Sequence, residues 1–209
     1  MGQTVAEPGG GYTEEFTFAF SSEDGWTELN GSWFAAGGIY YHDDLTANAA
    51  TIYTADELAS VDHYIIVEYD AIDAASYDGV ILRSPNSTYG PRYTVRYDQA
   101  NTDLHFRVCG NGVDSHSCNT FHTSDQTISA GNYLAVSVEG TNTSTEFKVW
   151  INPSGTDPDD WGAAGITVNS GNWVGAPGTY CDTGKYVGLY SGSGSSLVVD
   201  FDNLRAGAK

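Results

Sequence analysis

The sequence contains few positive charges. Its 209 residues include 27 Asp and Glu but only eight Lys and Arg, which gives a net charge of −19 at pH 7. Residues 1–82 hold fifteen of these acids and no Lys or Arg. Because nucleic acids and anionic membranes are bound chiefly through cationic side chains, the composition argues against both as partners. Two interpretations of the carboxylates stay open: they form a hydrated surface that aids solubility, or some of them bind Ca²⁺.

Long apolar runs are also absent. No segment approaches the roughly 20 apolar residues that cross a bilayer. Residues Met1–Pro8 lack the basic and apolar segments of a secretory signal. Two explanations stay open: a signal is not part of this sequence, or the protein reaches the outside of the cell without one, as a virion component does.

Cysteine is scarce, with three residues in the chain. Cys109 and Cys118 flank a loop that contains the turn-forming pair Asn111-Gly112, so we expect them to bridge neighbouring strands as a disulfide. Cys181 is then unpaired. The alternative is that Cys109 and Cys118 are free buried thiols. No spacing of Cys and His matches a structural zinc site.

Apolar residues alternate with polar ones from residue 63 onward, which predicts a succession of half-buried strands. We expect residues 12–209 to form a single all-β domain, a sandwich of antiparallel strands, preceded by a flexible Gly/Pro-rich arm over residues 1–11. Thr54 and Glu57 have the spacing of a capping box and predict one helical turn over residues 55–60. The side chains predicted to face the core are Ile65, Val67, Tyr69, Val80, Leu82, Tyr93, Val95, Tyr97, Leu104, Phe106, Val108, Leu134, Val136, Val138, Phe147, Val149 and Ile151.

The two ends of the chain carry matching strand patterns. Tyr186–Tyr190 and Leu197–Leu204 are predicted closing strands, and Phe16–Phe20 is a predicted opening strand. We expect the two termini to lie side by side in one sheet. This arrangement resembles the concanavalin A-like lectin/glucanase superfamily, including its laminin-G-like domains. The resemblance implies an antiparallel jelly-roll β-sandwich with at most one short helical turn.

Some relatives in that superfamily are enzymes, and retaining glycosidases need two carboxylates about 5–5.5 Å apart. The Glu-x-Asp-x-Glu strand of laminarinase-type hydrolases is absent here. Glu68 and Asp70 are the best remaining pair because they share one face of a strand. A lyase needs a Tyr, His or Lys base opposite an Asn or Arg clamp, and no spacing specifies one. We therefore expect no catalytic activity.

Half of the eight cations are arginines on or beside three successive predicted strands, namely Arg83, Arg92, Arg96 and Arg107. Arg83, Arg96 and Arg107 are out of phase with the apolar residues of three successive strands, so they are expected to share one outward face with His105 beside Arg107. As a functional interpretation, this face is a groove for a carboxylated or sulfated glycan. As a structural interpretation, the arginines form cross-strand ion pairs with the abundant acids.

Tryptophan side chains are the second group of ligand-binding candidates. Trp150 is out of phase with the apolar residues of its strand, so its ring either stacks on a ligand or is covered by a loop. Trp161 and Trp173 lie in Gly-, Asn- and Asp-rich segments, where rings offer flat platforms beside hydrogen-bonding groups. The alternative is that these loop tryptophans close the end of the core.

A structural Ca²⁺ site is predicted where the ends of the chain meet. Asp200, Asp202 and Asn203 in the closing strand, with Glu14 from the opening strand, supply the oxygen ligands that this ion prefers.

The acidic, Gly-, Ser- and Tyr-rich chain also resembles sandwich domains on phage capsids and tail fibres. The resemblance implies a non-catalytic module on a virion or another extracellular assembly, which acts as a capsid decoration or adhesion protein with a glycan as an outward ligand. Its partners are then capsid, tail or other assembly proteins, with copies of this chain as a further option. The alternative is a free carbohydrate-binding module of a secreted polysaccharide-degrading system, or a glycoside hydrolase or lyase.

Overall fold

The structure, a computed structural model, describes residues 11–42, 49–72, 77–86, 90–109, 118–155, 158–171, 173, 180–192 and 199–209. These residues contain fifteen β-strands and one short 3₁₀ helix. The strands, in chain order, are β1 (Thr13–Phe18), β2 (Trp26–Asn30), β3 (Trp33–Ala36), β4 (Ile39–His42), β5 (Ala49–Tyr53), β6 (His63–Ala71), β7 (Tyr77–Ser84), β8 (Arg92–Asp98), β9 (Asp103–Cys109), β10 (Cys118–Asp125), β11 (Tyr133–Glu139), β12 (Glu146–Ile151), β13 (Ile166–Asn169), β14 (Tyr186–Ser191) and β15 (Val199–Ala208).

Two antiparallel sheets form the sandwich. The seven-stranded sheet has the order β10-β9-β8-β7-β14-β5-β2. The eight-stranded sheet has the order β13-β12-β11-β6-β15-β4-β3, and β1 pairs with the far half of β15. The antiparallel β-sandwich predicted from the alternation is therefore confirmed, and so is the pairing of the two ends, since Thr13 lies opposite Ala208 and Phe18 opposite Leu204.

The core lies between the two sheets. All but one of the predicted inward side chains are buried there, and Ile151 is partly buried against them. Alternation succeeds here because successive side chains of a strand point to opposite faces of a sheet. The opposite faces of these strands point away from the core and carry the charged residues that form candidate sites.

The helical turn predicted over residues 55–60 is wrong. The Thr54 hydroxyl contacts the Thr27 hydroxyl at 2.7 Å and the Gly25 carbonyl at 3.3 Å, so it does not cap a helix. The amide of the buried Leu58 donates to the Lys185 carbonyl, which joins this segment to the residues before β14. The 3₁₀ helix lies instead at Asn142–Ser144, between β11 and β12.

The predicted arm over residues 1–11 lies outside the described residues except for Gly11. The division into an arm and one domain stays a prediction. No helix of the described chain is long and apolar enough to cross a membrane.

Candidate functional site

Arg83 does not join the predicted arginine face, and this prediction is wrong. Its side chain is 0% exposed, and Nη2 forms an ion pair with Asp62 at 2.9 Å. The cause is local: the β7–β14 pairing shifts register here, and Arg83 adopts φ +49, so the alternation of β7 is interrupted. Its Nε donates to the Val61 carbonyl at 2.8 Å. Arg83 is therefore a buried structural residue.

Arg96 and Arg107 do share a face, the outer face of the seven-stranded sheet. They lie on the neighbouring strands β8 and β9, two positions out of register, because Arg96 is opposite His105 and Arg107 is opposite Thr94. Side chains so related on one face are within reach of each other. The structure thus brings two of the three predicted arginines together, with His105 alongside.

Two tyrosines complete this arginine face, and sequence analysis did not identify either. The Arg96 guanidinium lies 4.5 Å from the centre of the Tyr77 ring and 5.8 Å from that of Tyr190, in the range of cation–π contacts. Arg96 Nη1 also donates to the Tyr190 hydroxyl at 3.4 Å. The pairing of Tyr190 with β7 joins segments more than 100 residues apart, so no local pattern could have revealed it.

Gly79 makes this contact geometrically possible. Gly79, on β7, lies directly opposite Arg96 on β8 and directly opposite Tyr190 on β14. A Cβ atom at Gly79 would lie 2.1 Å from the Val95 carbonyl oxygen and 2.5 Å from the Arg96 Cα. Since no side chain occupies this position, Arg96 can extend across β7 to the tyrosine.

No acid in the described part of the chain pairs with either of the two guanidinium groups. Among the described residues, neither Arg96 nor Arg107 forms an ion pair, and Arg96 Nε, Arg107 Nε and Arg107 Nη1 are buried without a hydrogen-bond acceptor. Arg107 Nη2 donates to the Cys118 carbonyl at 3.2 Å. Burial lowers the pKa of Arg107, and the charge of Arg96 lowers this pKa further. The cross-strand ion pairs of the structural interpretation are therefore not seen at this face.

Trp150 and Trp161 cover each other. Both are 6% exposed, their ring centres are 5.1 Å apart, and Trp161 also packs edge-on against Tyr64. The Trp150 indole donates to the Gly162 carbonyl at 3.1 Å. Of the two interpretations of Trp150, the structure therefore supports the one in which a loop covers the ring. The prediction that these rings stack openly on a ligand is wrong.

Trp173 packs against the core edge. Its ring lies 5.1 Å from that of Phe121 and 5.8 Å from that of Tyr180. Trp173 therefore agrees with the alternative interpretation, in which a loop tryptophan closes the end of the core.

The predicted calcium ligands do not converge. Glu14 lies opposite Gly207 and Asp202 lies opposite Glu68, so they are separated by five residues of β15, about 16 Å at roughly 3.3 Å per residue. Ligands of one Ca²⁺ ion must all lie within about 2.6 Å of it. These residues do not fit a shared ion, and the predicted site is wrong.

Two of the predicted calcium ligands, Glu14 and Asp202, form hydrogen bonds with residues close to them in the chain. Glu14 Oε1 accepts from the Thr17 hydroxyl at 2.9 Å. Asp202 Oδ1 accepts from the Asn203 amide. Asp200 lies on the outer face of the eight-stranded sheet, where burial and the nearby charge of Asp70 raise its pKa.

A different group has metal-ligand spacing. Ligand atoms of Asp98, Asp103 and His105 lie within 4.8 Å of one another, the one such group of three in the described part of the chain. Asp98 Oδ1, however, accepts from the amides of Ala100 and Asn101 in the β8–β9 turn, at 3.0 and 3.3 Å. His105 Nε2 lies 2.9 Å from Asp103. Three ligands are fewer than the six to eight that Ca²⁺ takes, so this group stabilises a turn.

Glu68 and Asp70 share the outer face of the eight-stranded sheet, on the opposite side of the sandwich from the arginine face. The Glu68 carboxylate accepts from Asn203 Nδ2 at 2.7 Å. The Tyr133 hydroxyl also hydrogen-bonds to Glu68, and this bond raises the pKa of Tyr133. Glu68 is thus held in a polar network rather than aimed at a partner carboxylate.

Cys109 and Cys118 form a disulfide that joins β9 to β10. Cys181 is free and buried, and burial raises the pKa of its thiol. Because Arg107 donates to the Cys118 carbonyl, the disulfide lies next to the arginine face.

Comparison with known proteins identifies the fold. A carbohydrate-binding module, CBM66 from Bacillus subtilis, superimposes with a TM-score of 0.61 at 14% identity, over 91% of this chain and 99% of the other. A β-1,3-1,4-glucanase (lichenase) from a mouse hindgut metagenome gives 0.58 at 11% identity, over 92% and 98%. The β-glucanase of Bacillus licheniformis gives 0.55 at 10% identity, over 96% and 99%.

The chain has the concanavalin A-like jelly-roll fold. At these identities the likeness is one of fold. No protein-family profile matches the sequence, and no curated protein matches it either.

These comparisons contradict the expectation of a protein without catalytic activity. Besides the binding module, the similar structures include proteins named as glucanases, among them an endo-β-1,3-glucanase from Pyrococcus furiosus. The prediction rested on the missing Glu-x-Asp-x-Glu strand, which argues against one type of active site only.

Proposed function

We propose that this protein acts on carbohydrate and binds an anionic glycan across the arginine face. One observation carries the proposal: Arg96 and Arg107 lie side by side, without an acidic partner among the described residues, although the chain has 27 acidic residues. A buried N–H group without an acceptor costs about 1–3 kcal/mol. A carboxylate or sulfate group on a bound glycan supplies the missing acceptors and balances both charges.

Guanidinium geometry favours this class of ligand. The planar group donates two parallel hydrogen bonds to a carboxylate or sulfate, which an ammonium group cannot match. Tyr77 and Tyr190 add apolar ring surface beside the cations, and such surfaces suit the C–H faces of sugar rings. The fold that the chain shares with a carbohydrate-binding module and with glucanases supports a glycan as the ligand class.

The test is a binding titration with a polyuronate, a sulfated polysaccharide and a neutral glucan. We expect wild-type protein to bind at least one of the two anionic polymers. Arg96→Gln and Arg107→Gln should each weaken that binding about 10- to 100-fold, from the roughly 1.5–3 kcal/mol of a hydrogen bond to a charged group. Arg205→Gln, which changes a partly exposed arginine of the other sheet, is the matched control. Unchanged affinity in both face variants contradicts the proposal.

Cleavage of the same glycan by β-elimination is the second candidate function. It is favoured by the Tyr190 hydroxyl, which lies 3.4 Å from Arg96 Nη1 and so provides the Tyr base beside an Arg clamp. In this reaction the arginines neutralise a uronate carboxylate, and a base removes the proton on the adjacent carbon. The glycosidic C–O bond then breaks, the leaving oxygen takes up a proton, and a C=C bond remains in the product.

The ultraviolet absorbance of this unsaturated product measures the reaction. We expect Tyr190→Phe to abolish turnover of a polyuronate while its affinity stays within about 3-fold. Glu68→Gln, on the opposite side of the sandwich, should leave turnover unchanged. If turnover is instead lost in Glu68→Gln and kept in Tyr190→Phe, the active site is the Glu68 face and the chemistry is hydrolysis.

An extracellular location is part of the proposal. The Cys109–Cys118 disulfide supports it, since disulfides persist in oxidising surroundings. The names of the similar structures favour a secreted carbohydrate-binding module or a glycan-cleaving enzyme over a capsid decoration. A role on a virion stays a prediction from the sequence.

A further inference from the structure

A polar cavity of about 310 Å³ opens on the outer side of the eight-stranded sheet, away from the arginine face. It lies where residues from the beginning and end of the chain meet β11, β12 and the segment that follows β12. Its main lining side chains are Tyr12, Glu139, Lys148, Trp150, Asp159 and Lys209. We call it the Glu139 cavity. Its volume is at the lower end of the range for small-ligand sites.

Glu139 organises the polar wall. Its Oε1 accepts from the Tyr12 hydroxyl at 3.0 Å and from Lys148 Nζ at 3.2 Å, and its Oε2 accepts from Lys209 Nζ at 3.0 Å. Burial alone would raise the pKa of Glu139, but the hydrogen bonds from Lys209, Tyr12 and Lys148 outweigh burial and lower it. Donors and acceptors are therefore fixed in place beside the cavity before any ligand arrives.

The charged groups of the wall already have partners. Lys148 and Lys209 both pair with Glu139, Lys148 also pairs with Glu146 at 3.3 Å, and Asp159 accepts from the Tyr12 amide at 2.9 Å. Burying a charged ligand among groups that are already paired gains no new ion pair and costs its desolvation. The cavity therefore favours an uncharged ligand that both donates and accepts hydrogen bonds, which is what a sugar hydroxyl does.

Trp150 supplies the apolar part of the lining. Its indole N–H is already used by the Gly162 carbonyl, and one side of the ring is covered by Trp161. Trp150 is 6% exposed and lines the cavity, so it offers a small surface that a sugar can contact. Trp150 thus contributes to a site through a cavity wall rather than as the open platform expected from the sequence.

We propose that the Glu139 cavity binds one uncharged sugar residue. The inference rests on the proposed function in that it takes the natural ligand to be a glycan, but it concerns a separate site on the other side of the sandwich. Two sites on opposite sheets let one molecule hold two glycan segments at once, and joined sites raise the overall affinity for a polymer.

The experiment is saturation-transfer NMR and tryptophan fluorescence with a panel of neutral hexoses, pentoses and N-acetylhexosamines. We expect at least one sugar to bind saturably to the wild-type protein. Thr167→Trp, which fills the cavity from an exposed position on β13, should weaken this binding at least 10-fold, and so should Lys148→Met. Thr17→Trp, at an exposed position on β1, is the matched control and should bind like wild type.

The outcomes separate this proposal from the first. Thr167→Trp should keep its affinity for anionic glycan, whereas Arg96→Gln should keep its affinity for the neutral sugar. No response to any sugar of the panel, or unchanged sugar affinity in both cavity variants, overturns the Glu139 cavity whatever the arginine face does. Circular dichroism and thermal unfolding establish that each variant is folded.

Discussion

At the scale of single residues, Arg83 explains how the sandwich holds a buried charge. Burial lowers the pKa of Arg83, while the charge of Asp62 raises it again, so the guanidinium stays protonated beside its partner. Asp182 lies 3.8 Å from Nη1 and adds a second carboxylate. Because Arg83 donates to Val61 and Asp62, its hydrogen bonds tie the segment before β6 to β7, and the charge of Asp182 adds a weaker attraction from the segment before β14.

We expect Arg83→Met to lower the free energy of unfolding by about 1.5–3 kcal/mol, the cost of losing hydrogen bonds to a charged group. Arg205→Met is the control, since its pair with Glu14 is 3.7 Å long and partly exposed and should contribute at most about 1 kcal/mol. Urea titrations of both variants give the values. If both variants lost the same free energy of unfolding, the buried Arg83–Asp62 pair would contribute no more to stability than the partly exposed Arg205–Glu14 pair.

His63 is the second buried polar residue with a measurable consequence. Its Nε2 accepts from the Arg83 amide at 3.1 Å, which leaves the proton on Nδ1, 3.3 Å from the Ser60 carbonyl. Burial, and then the charge of Arg83, lower the pKa of His63 to about 3. The folded protein therefore keeps this imidazole neutral in mildly acidic solution.

This pKa shift predicts a pH dependence of stability. Unfolded His63 takes up a proton near pH 6.5, whereas folded His63 does so near pH 3. Between these values the unfolded state binds more protons, so stability falls as the pH falls, by about 1.4 kcal/mol per unit. His63→Gln, which keeps an acceptor for the Arg83 amide, should remove this slope. Unfolding free energies of both proteins from pH 7 to pH 4 provide the test, and parallel curves contradict the prediction.

At the scale of elements, the β9–β10 pair connects stability with the arginine face. The Cys109–Cys118 disulfide closes the loop between the strands, and Arg107 on β9 donates to the Cys118 carbonyl on β10. A disulfide stabilises chiefly by restricting the unfolded chain. Here it also fixes the edge strand that orients one of the two ligand-binding arginines.

Removing this disulfide should therefore have two effects. For a loop of this length, we expect Cys109→Ala/Cys118→Ala to lose about 2–3 kcal/mol of stability and several-fold of affinity for anionic glycan. Binding of neutral sugar in the Glu139 cavity should not change. Reductant should act on wild type in the same way and have no effect on the double variant. A loss of stability without any loss of glycan affinity would separate the disulfide from the site.

At the scale of the whole molecule, the dominant feature is a net charge of −19. Like charges spread over the surface repel each other and destabilise the compact state. The repulsion acts over about 30 Å in 0.01 M salt and about 10 Å in 0.1 M salt. The closure of the sandwich by β1 and β15 has to withstand this repulsion.

We therefore expect stability to rise with salt. Between 0.01 and 0.3 M NaCl at pH 7, Tm should increase by about 2–4 °C, equivalent to about 1 kcal/mol for a chain of this size. Near pH 4.2, where the sequence carries no net charge, the same change of salt should have little effect. Differential scanning calorimetry measures both series. A salt dependence of equal size at the two pH values would contradict the electrostatic explanation.

The strands, their inward faces and the pairing of the two ends could be predicted from the amino-acid sequence. Alternation is a local property, because the geometry of an extended chain sends neighbouring side chains to opposite sides. It therefore identified the core positions from Ile65 to Val149 and placed Arg96 and Arg107 on one outer face. The turn between Cys109 and Cys118 was likewise predicted from neighbouring residues, the pair Asn111-Gly112.

Which of the candidate residues contact each other depends on the packing of the folded chain. The register shift at Arg83 turned a predicted surface arginine inward, and the register of β15 separated Glu14 from Asp202. The Tyr190 contact with Arg96 and the grouping of Lys209 with Glu139 join segments far apart in the chain. Pairing between distant strands depends on the packing of both sheets at once, so no stretch of sequence contains it.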